Sequence, residues 1–181
     1  ALGVEVVVLD ENDQVVSQGT VGEICARGPN VMLGYWGMES TTADTLRNGW
    51  LHTGDLGYMD EDGFVFIVDR AKDMVISGGE NIFSVEVEGA IYSHPAVQEC
   101  AVIGIPDERW GEAVHAIVVL REGEHASEAE IIEHCRERIA GYKVPRSVDF
   151  KAESLPVSGA GKVLKNELRA PFWESNGKQV N

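Results

Sequence analysis

A lysine on a short glycine-rich segment is the residue of this chain best suited to act on an anion. Lys162 follows Gly159-Ala160-Gly161, and a cation on such a loop can be presented to a phosphate or a carboxylate. The segment does not fit a P-loop, because Pro156 stands where the first glycine is required and Val163 replaces the serine or threonine. The pattern therefore indicates a mobile loop that delivers one ammonium group.

Upstream, an aspartate and an arginine offer groups that suit a nucleotide. Asp55 follows Thr53-Gly54 in a predicted turn, and the two oxygens of a carboxylate can accept from both hydroxyls of a ribose. The alternative is a turn residue that bonds its own backbone. The guanidinium of Arg70 can bond ribose and phosphate oxygens, or it can form a surface ion pair with Asp69 or Asp73.

The elements that must position these residues follow from periodicity and turn signals. A mainly β portion is predicted up to Val68 and an α+β portion, with a sheet flanked by helices, from Asp69 onward. A capping box at Ser127–Glu130 predicts a helix start. Strands are predicted near residues 4–9, 21–27, 57–59, 64–68, 97–105, 113–120 and 144–150, and helices over 41–46, 84–93 (capped by Ser84), 128–140 (stopped by Gly141) and 166–173.

Three segments in a fixed order resemble one known family. Gly49–Gly57, Asp69–Asn81 and Leu155–Lys165 are similar to the C-terminal motifs of the acyl-adenylate-forming enzymes: acyl-CoA synthetases, luciferases and peptide-synthetase adenylation domains. The resemblance covers nearly the whole chain. It implies that residues 1–68 are the last, barrel-like part of a large N-terminal AMP-binding domain and that residues 69–181 are the small, mobile C-terminal domain.

The resemblance also implies a role for each motif residue. Lys162 would be the catalytic lysine that bridges the carboxylate and the α-phosphate during adenylation. Asp55 and Arg70 would bind ATP, and Lys72 would be the hinge between the domains. Gly78-Gly79 would line the pantetheine tunnel of the second half-reaction, although the pair also fits a hairpin turn that needs positive φ.

Three further residues would contact coenzyme A. Trp110 would pack on pantetheine, or it would simply cover a sheet edge. Tyr142 and Lys143 would stack on adenine and pair with the 3′-phosphate, or they would be surface groups at a strand start. Several CoA ligases of the family carry a basic residue where Val144 stands, and Arg146 could substitute for it.

The implied reaction joins a carboxylic acid to CoA through an acyl-AMP intermediate, with Mg²⁺ accompanying ATP. The Asp73–Ile82 stretch and the Trp110 loop look most like those of bacterial medium- or long-chain fatty acyl-CoA synthetases. Aryl-CoA ligases, carrier-protein-loading adenylation modules and a binding module without turnover are the alternatives. Protein lysine acetyltransferases modify lysines in settings like that of Lys162, which would remove its charge.

The family's phosphate loop and acyl pocket lie upstream of these motifs. We therefore expect the chain to be part of a longer enzyme and inactive by itself.

The composition also limits the function. A formal net charge of -15 argues against nucleic acid as a partner. No apolar run approaches the roughly 18 residues of a membrane helix, and no signal-peptide pattern opens the sequence, which favours a cytoplasmic enzyme. Cys25, Cys100 and Cys135 lack metal-ligand spacing, so buried free thiols and no metal site are expected. The oligomeric state stays open.

Overall fold

The structure, a computed structural model, describes residues 3–174. Within these residues the fold divides into two compact units, one up to Lys72 and one from Asp73 onward. Both units combine sheets with helices, so the predicted α+β class is confirmed. That these units correspond to the family's large and small domains stays a prediction. None of the described helices is long and apolar enough to cross a membrane.

The first unit is a four-stranded antiparallel sheet in the order β1-β2-β3-β4. The resemblance implied a barrel-like part; within the described residues no pairing joins β4 to β1, so this sheet is open and forms no closed barrel. A short helix, α1, connects β2 to β3. The bounds are β1 Glu5–Leu9, β2 Gly22–Arg27, α1 Glu39–Thr45, β3 Leu51–Met59 and β4 Val65–Arg70.

Strand β3 begins six residues before the predicted strand at residue 57. Asp55 therefore lies in a strand, and its predicted placement in a turn is wrong. The local signal of Thr53-Gly54 favours a turn, but the segment pairs with β2 on one side and β4 on the other. The pairing with β2 shifts register between Glu23 and Cys25, and this bulge accommodates Gly54 at a φ of 74°.

The second unit contains a mixed five-stranded sheet. Its order is β6-β5-β8-β7, with β9 parallel to β8. A 3-10 turn at Ala71–Asp73 precedes it. The strands are β5 Val75–Ser77, β6 Glu80–Ile82, β7 Val97–Asp107, β8 Gly111–Leu120 and β9 Ser147–Lys151, and the helices are α2 Ser84–Tyr92, α3 Glu128–Arg136 and α4 Lys165–Glu174.

Strands β7 and β8 bury both of their faces. Val102 on β7 belongs to a core formed with α2 and α3, whereas the neighbouring residues Ala101 and Ile103 belong to a second core with Leu168 of α4. Alternate residues of a strand point to opposite faces. This explains why the sequence shows continuous apolar runs here, as predicted for a sheet covered on both sides.

One of three predicted helix ends agrees with the structure, and two differ from it. The capping box between Ser127 and Glu130 is confirmed, with both reciprocal bonds formed. Helix α3 ends at Arg136, before the predicted stop at Gly141. Ser84 does not cap α2, because Phe83 occupies the cap position and makes no side-chain cap bond; the Ser84 hydroxyl is buried instead.

A buried histidine in β8 should make stability depend on pH. His115 is 2% exposed, its Nδ1 lies 2.7 Å from the Ser147 hydroxyl, and its ring packs on Phe172. Burial lowers the pKa of His115, and the carboxylates of Asp149 and Glu128 oppose this only in part.

We predict that this histidine destabilises the fold as the pH falls below about 6.5, the ordinary pKa of histidine. The unfolded chain then binds the proton more tightly than the folded chain, so folding stability is lost by up to about 1.4 kcal/mol per pH unit for one proton. The free energy of unfolding, measured with urea between pH 7.5 and 5, should fall less steeply with decreasing pH for His115→Gln than for the wild type. A Val148→Ala control, which keeps the imidazole, should retain the wild-type slope. Equal slopes for His115→Gln and the wild type would contradict the assignment.

Candidate functional site

Asp55 and Arg70 are direct neighbours on strands β3 and β4 of the first unit. They are register partners, and Arg70 Nε lies 2.9 Å from Asp55 Oδ1. The guanidinium therefore pairs with Asp55, and not with Asp69 or Asp73 as the surface alternative supposed. Asp69 is buried, and its Oδ1 accepts from the Arg70 backbone N–H at 2.7 Å. Each carboxylate oxygen has two lone pairs, so this ion pair leaves Asp55 able to accept from hydroxyl donors.

The carboxylate of Glu23 on β2 fixes the segment that leads to Asp55. Its Oε1 accepts from the Gly54 N–H at 2.9 Å and its Oε2 accepts from His52 Nδ1 at 2.7 Å. The Thr53 hydroxyl donates to the Ile24 carbonyl and accepts from the Asp55 N–H. The Glu23 side chain and the Ile24 carbonyl of β2 thus hold the residues that lead to Asp55. Sequence reasoning missed Glu23, because its role depends on a register shift that no local pattern marks.

Glu23, Cys25 and His52 place three possible metal-ligand atoms within 4.8 Å of one another. The geometry is that of a hydrogen-bond network. His52 already bonds Glu23, whose other oxygen is engaged by Gly54. Burial raises the pKa of the Cys25 thiol to about 12, and the Arg47 guanidinium lies 3.4 Å from the Glu23 carboxylate. These contacts serve strand β3, and the expectation of no metal site stays a prediction.

Gly78 and Gly79 form a two-residue turn between β5 and β6 of the second unit. Their φ angles are 63° and 85°, as a type I′ hairpin turn requires, so the hairpin interpretation of this pair is confirmed. The Gly78 N–H donates to the Trp110 carbonyl at 2.9 Å. A Cβ on Gly78 would lie 2.6 Å from Trp110 Cε3, whereas one on Gly79 would meet nothing within 4 Å. Gly78 therefore packs under the indole, and Gly79 faces open space.

Trp110 lies in the short loop between β7 and β8, between two cations. The Asp107 carboxylate accepts from the Arg109 and Trp110 N–H groups at 2.9 and 2.8 Å and so shapes the loop. The guanidinium carbons of Arg109 and Arg146 lie 4.5 and 5.0 Å from the indole centre, within cation–π range. Among the described residues, no carboxylate pairs with either guanidinium. Two cations without a carboxylate partner among the described residues therefore flank the indole.

Tyr142 and Lys143 lie in a 3-10 turn, Gly141–Lys143. Lys143 Nζ bonds both carboxylate oxygens of Glu86 at 2.7 Å, and this hydrogen bond raises the pKa of Lys143. Tyr142 is about half exposed. Val144 is buried in the core shared with α2 and α3.

Lys162 lies in a tight, well-anchored hairpin. Val157 and Val163 form a bridge across it. The Ser158 N–H donates to the Lys162 carbonyl at 2.8 Å, and the Lys162 N–H donates to the Ser158 hydroxyl at 3.2 Å. The side chain of Lys162 is exposed, and within residues 3–174 no acidic group pairs with it. The backbone of the expected mobile loop is thus fixed, and the ammonium is available to an incoming anion.

Lys72, the predicted hinge, is the last residue of the first unit and is exposed.

Two family models match the chain. The AMP-binding enzyme model matches residues 1–36, and the AMP-binding enzyme C-terminal domain model matches residues 86–162. This chain belongs to the AMP-binding enzyme family. The predicted family is therefore confirmed.

Several curated relatives are similar over most of the chain. A feruloyl-CoA synthase of Amycolatopsis sp is 52% identical over 87% of this chain and 32% of its own length. A fatty acid–[acyl-carrier-protein] ligase of Streptomyces coeruleorubidus is 44% identical over 99% of this chain and 34% of its own. A medium/long-chain-fatty-acid–CoA ligase of Mycobacterium tuberculosis is 47% identical over 97% of this chain and 32% of its own. The chain spans about a third of the length of these relatives.

Solved structures show the same fold. MatB from Rhodopseudomonas palustris, with ATP bound, matches with a TM-score of 0.88 at 41% identity, over 94% of this chain and 34% of that one. The o-succinylbenzoate CoA synthetase of Bacillus subtilis, bound to its acyl-adenylate, matches with a TM-score of 0.82 at 42% identity, over 92% of this chain and 34% of that one.

The two glycines of the β5–β6 turn should respond differently to alanine. Each substitution places a Cβ at positive φ, which costs about 1–2 kcal/mol. Gly78→Ala must also displace the Trp110 ring, which adds about 1–3 kcal/mol of overpacking. The free energy of unfolding in urea should therefore fall further for Gly78→Ala than for Gly79→Ala. Equal losses would show that Trp110 does not pack on Gly78.

Proposed function

We propose that the full-length protein is an ATP-dependent acid–thiol ligase. It converts a carboxylic acid and ATP to acyl-AMP and pyrophosphate, and then acyl-AMP and CoA to acyl-CoA and AMP. The observation that carries the proposal is the exposed Lys162 ammonium, with no acidic partner among the described residues, on a hairpin whose backbone is fixed by hydrogen bonds. Family membership supplies the reaction class.

In the first step Lys162 is the catalytic residue. A carboxylate must approach the α-phosphate of ATP, so two anions meet and the barrier is largely electrostatic. An ammonium that bonds both groups neutralises the charge that develops in the transition state. Because the hairpin backbone is already ordered, little reorganisation is needed at that moment.

Asp55 and Arg70 bind the nucleotide. Their ion pair on β3 and β4 presents a carboxylate to the ribose hydroxyls and a guanidinium to the ribose or to phosphate oxygens. Mg²⁺ enters with ATP, bound by phosphate oxygens and water, as this hard cation prefers.

In the second step the turn at Gly78-Gly79 and the indole of Trp110 contact the pantetheine arm of CoA. The guanidinium groups of Arg109 and Arg146 beside the indole suit the phosphates of CoA. Tyr142 offers an exposed ring for adenine, and Lys143 reaches the 3′-phosphate only by leaving Glu86. We place the change between the two steps at Lys72, whose backbone would absorb the rotation of the C-terminal domain.

The acid is proposed to be a medium- or long-chain fatty acid. The relatives include ligases for fatty acids and for feruloyl groups, so an aryl acid is the alternative. The fatty acid–[acyl-carrier-protein] ligase among them favours a second candidate function, the loading of a carrier protein instead of free CoA.

Three buried free thiols fit a reducing cytoplasm.

Acid-dependent ATP–pyrophosphate exchange tests the function in the full-length protein, followed by thioester formation with acids from acetate to octadecanoate and with aromatic acids. Thioester formation would support the ligase, and its chain-length profile would identify the substrate class. Exchange without a thioester to free CoA would favour carrier-protein loading. Absence of exchange with every acid would refute the proposal.

Two single substitutions should separate the half-reactions. Lys162→Ala should lower pyrophosphate exchange by about 10²–10³-fold while supplied acyl-AMP is still converted to acyl-CoA. Gly79→Leu should do the reverse: its positive φ lowers stability for both half-reactions alike, whereas its Cβ meets nothing within 4 Å in this unit, so the side chain would obstruct the pantetheine arm alone. Lys151→Ala, which removes an exposed lysine on β9, is the matched control. Equal loss of both half-reactions in either variant would contradict its assigned role.

We further propose that a protein lysine acetyltransferase acts on Lys162 and stops adenylation by removing its charge. Lys165 lies three residues away, but its side chain is only 12% exposed and its ammonium is engaged. A limiting acetyl donor should therefore modify Lys162 well before Lys165, as read by mass spectrometry of peptides from residues 152–169. In urea both lysines should react. Equal modification of the folded protein would contradict the prediction.

A further inference from the structure

A second lysine, close to Lys162, is buried and paired. Lys165 is the first residue of α4, and its Nζ lies 2.6 Å from Glu88 Oε1 and 2.7 Å from the Ser84 hydroxyl, both on α2. The side chains of Lys165 and Glu88 are 12% and 16% exposed, and Ser84 is fully buried. Nothing in the proposed reaction uses these three groups.

The cluster Lys165–Glu88–Ser84 also includes the central sheet. Glu88 Oε1 accepts from the Val102 N–H on β7 at 2.9 Å. The carboxylate therefore joins α2, α4 and β7 at one point. Breaking a buried ion pair leaves an uncompensated charge, so the three elements are strongly held in one arrangement.

The position of the cluster relates it to both functional loops. Ser84 begins α2, two residues after strand β6 of the Gly78-Gly79 hairpin. Lys165 begins α4, three residues after Lys162. The hydrogen bond from Lys165 to Ser84 thus connects the bases of two loops that are separated by about 80 residues in sequence.

We propose that Lys165 is a positioning residue, and that the Lys165–Glu88–Ser84 cluster holds the Gly78-Gly79 hairpin and the Lys162 hairpin as one rigid body. The inference rests on the proposed function, in which the two loops serve different half-reactions. A rigid connection lets one rotation of the unit withdraw one loop and deliver the other, each at its correct place. Because Glu88 and Ser84 already engage the Lys165 ammonium inside the unit, we assign it no contact with substrate.

A purely structural ion pair would have a different signature. It would lower thermal stability but leave both half-reactions unchanged wherever the protein is folded. A positioning cluster would lower the rate constants of both half-reactions in the folded protein, with the KM for ATP little changed because Asp55 and Arg70 are intact. Small misplacements of reacting groups are costly in rate.

The test uses the full-length protein with Lys165→Met. We expect kcat to fall at least about tenfold in pyrophosphate exchange and in the conversion of acyl-AMP to acyl-CoA. Amide hydrogen exchange should quicken at both Gly78 and Ser158, whose N–H groups are bonded in the two hairpins. Ile131→Ala, in the buried face of α3, is the control for lost stability and should leave both rates near wild type. Ser84→Ala removes the hydrogen bond to Lys165 and keeps the ion pair, so it serves if Lys165→Met does not fold; the same pattern is then expected at a few-fold size.

Three results would overturn the inference. The first is a Lys165→Met protein whose rates match those of Ile131→Ala, and the second is a loss confined to adenylation. The third is faster amide exchange at only one of the two hairpins. Failure of the proposed function is distinct, because the wild-type protein would then show no exchange with any acid.

Discussion

The arrangement of the second unit depends on the burial of both faces of β7 and β8. Ala101 and Ile103 enter one core while Val102 enters the other, so helices must cover both sides of the sheet. Helices α2 and α3 cover one side and α4 covers the other. This constraint brings the first turns of α2 and α4 to β7, where the Glu88 carboxylate can bond Val102 and Lys165 together. The two loops owe their positions to that packing, since each is short and directly attached to one of these helices.

Hydrogen bonds to polar side chains then fix the backbone of the loops and strands that the apolar cores position. Carboxylates accept from backbone N–H groups at three places close to candidate residues: Glu23 at Gly54, Asp107 at Trp110, and Glu112 at Ile76 beside the glycine turn. A partly buried backbone donor without a partner is costly, so each carboxylate makes one backbone path much more favourable than the alternatives. The aspartates and glutamates of this acidic chain therefore do structural work close to the groups that are proposed to bind anions.

Sequence patterns correctly predicted the features that depend only on residues close together in the chain. The capping box at Ser127 needs only residues within one turn, and the glycine pair at Gly78-Gly79 is favoured wherever two successive positive φ angles are required. Asp55 was placed in a turn because Thr-Gly-Asp favours one, and pairing with both neighbouring strands overrides that preference. Lys165 was missed altogether. Its partners Ser84 and Glu88 are brought to it only by the packing of α2 and α4 on the two faces of one sheet, and no spacing along the chain marks them.

The charges show why net charge is a poor guide to the ligand. The chain carries a formal charge of -15, yet at about 0.15 M salt a charge is felt over only about 8 Å, so an approaching anion responds to its immediate neighbours. Carboxylates neutralise Lys143 and Lys165. Arg109, Arg146 and Lys162 are exposed and, among the described residues, lack such partners. The same residue types therefore divide into cations that hold the fold and cations that are available to a ligand. Arg109 lies on the loop that packs against the glycine turn, Arg146 lies beside it at the start of β9, and Lys162 lies on the second hairpin. Lys143 and Lys165 lie on the elements that support these segments.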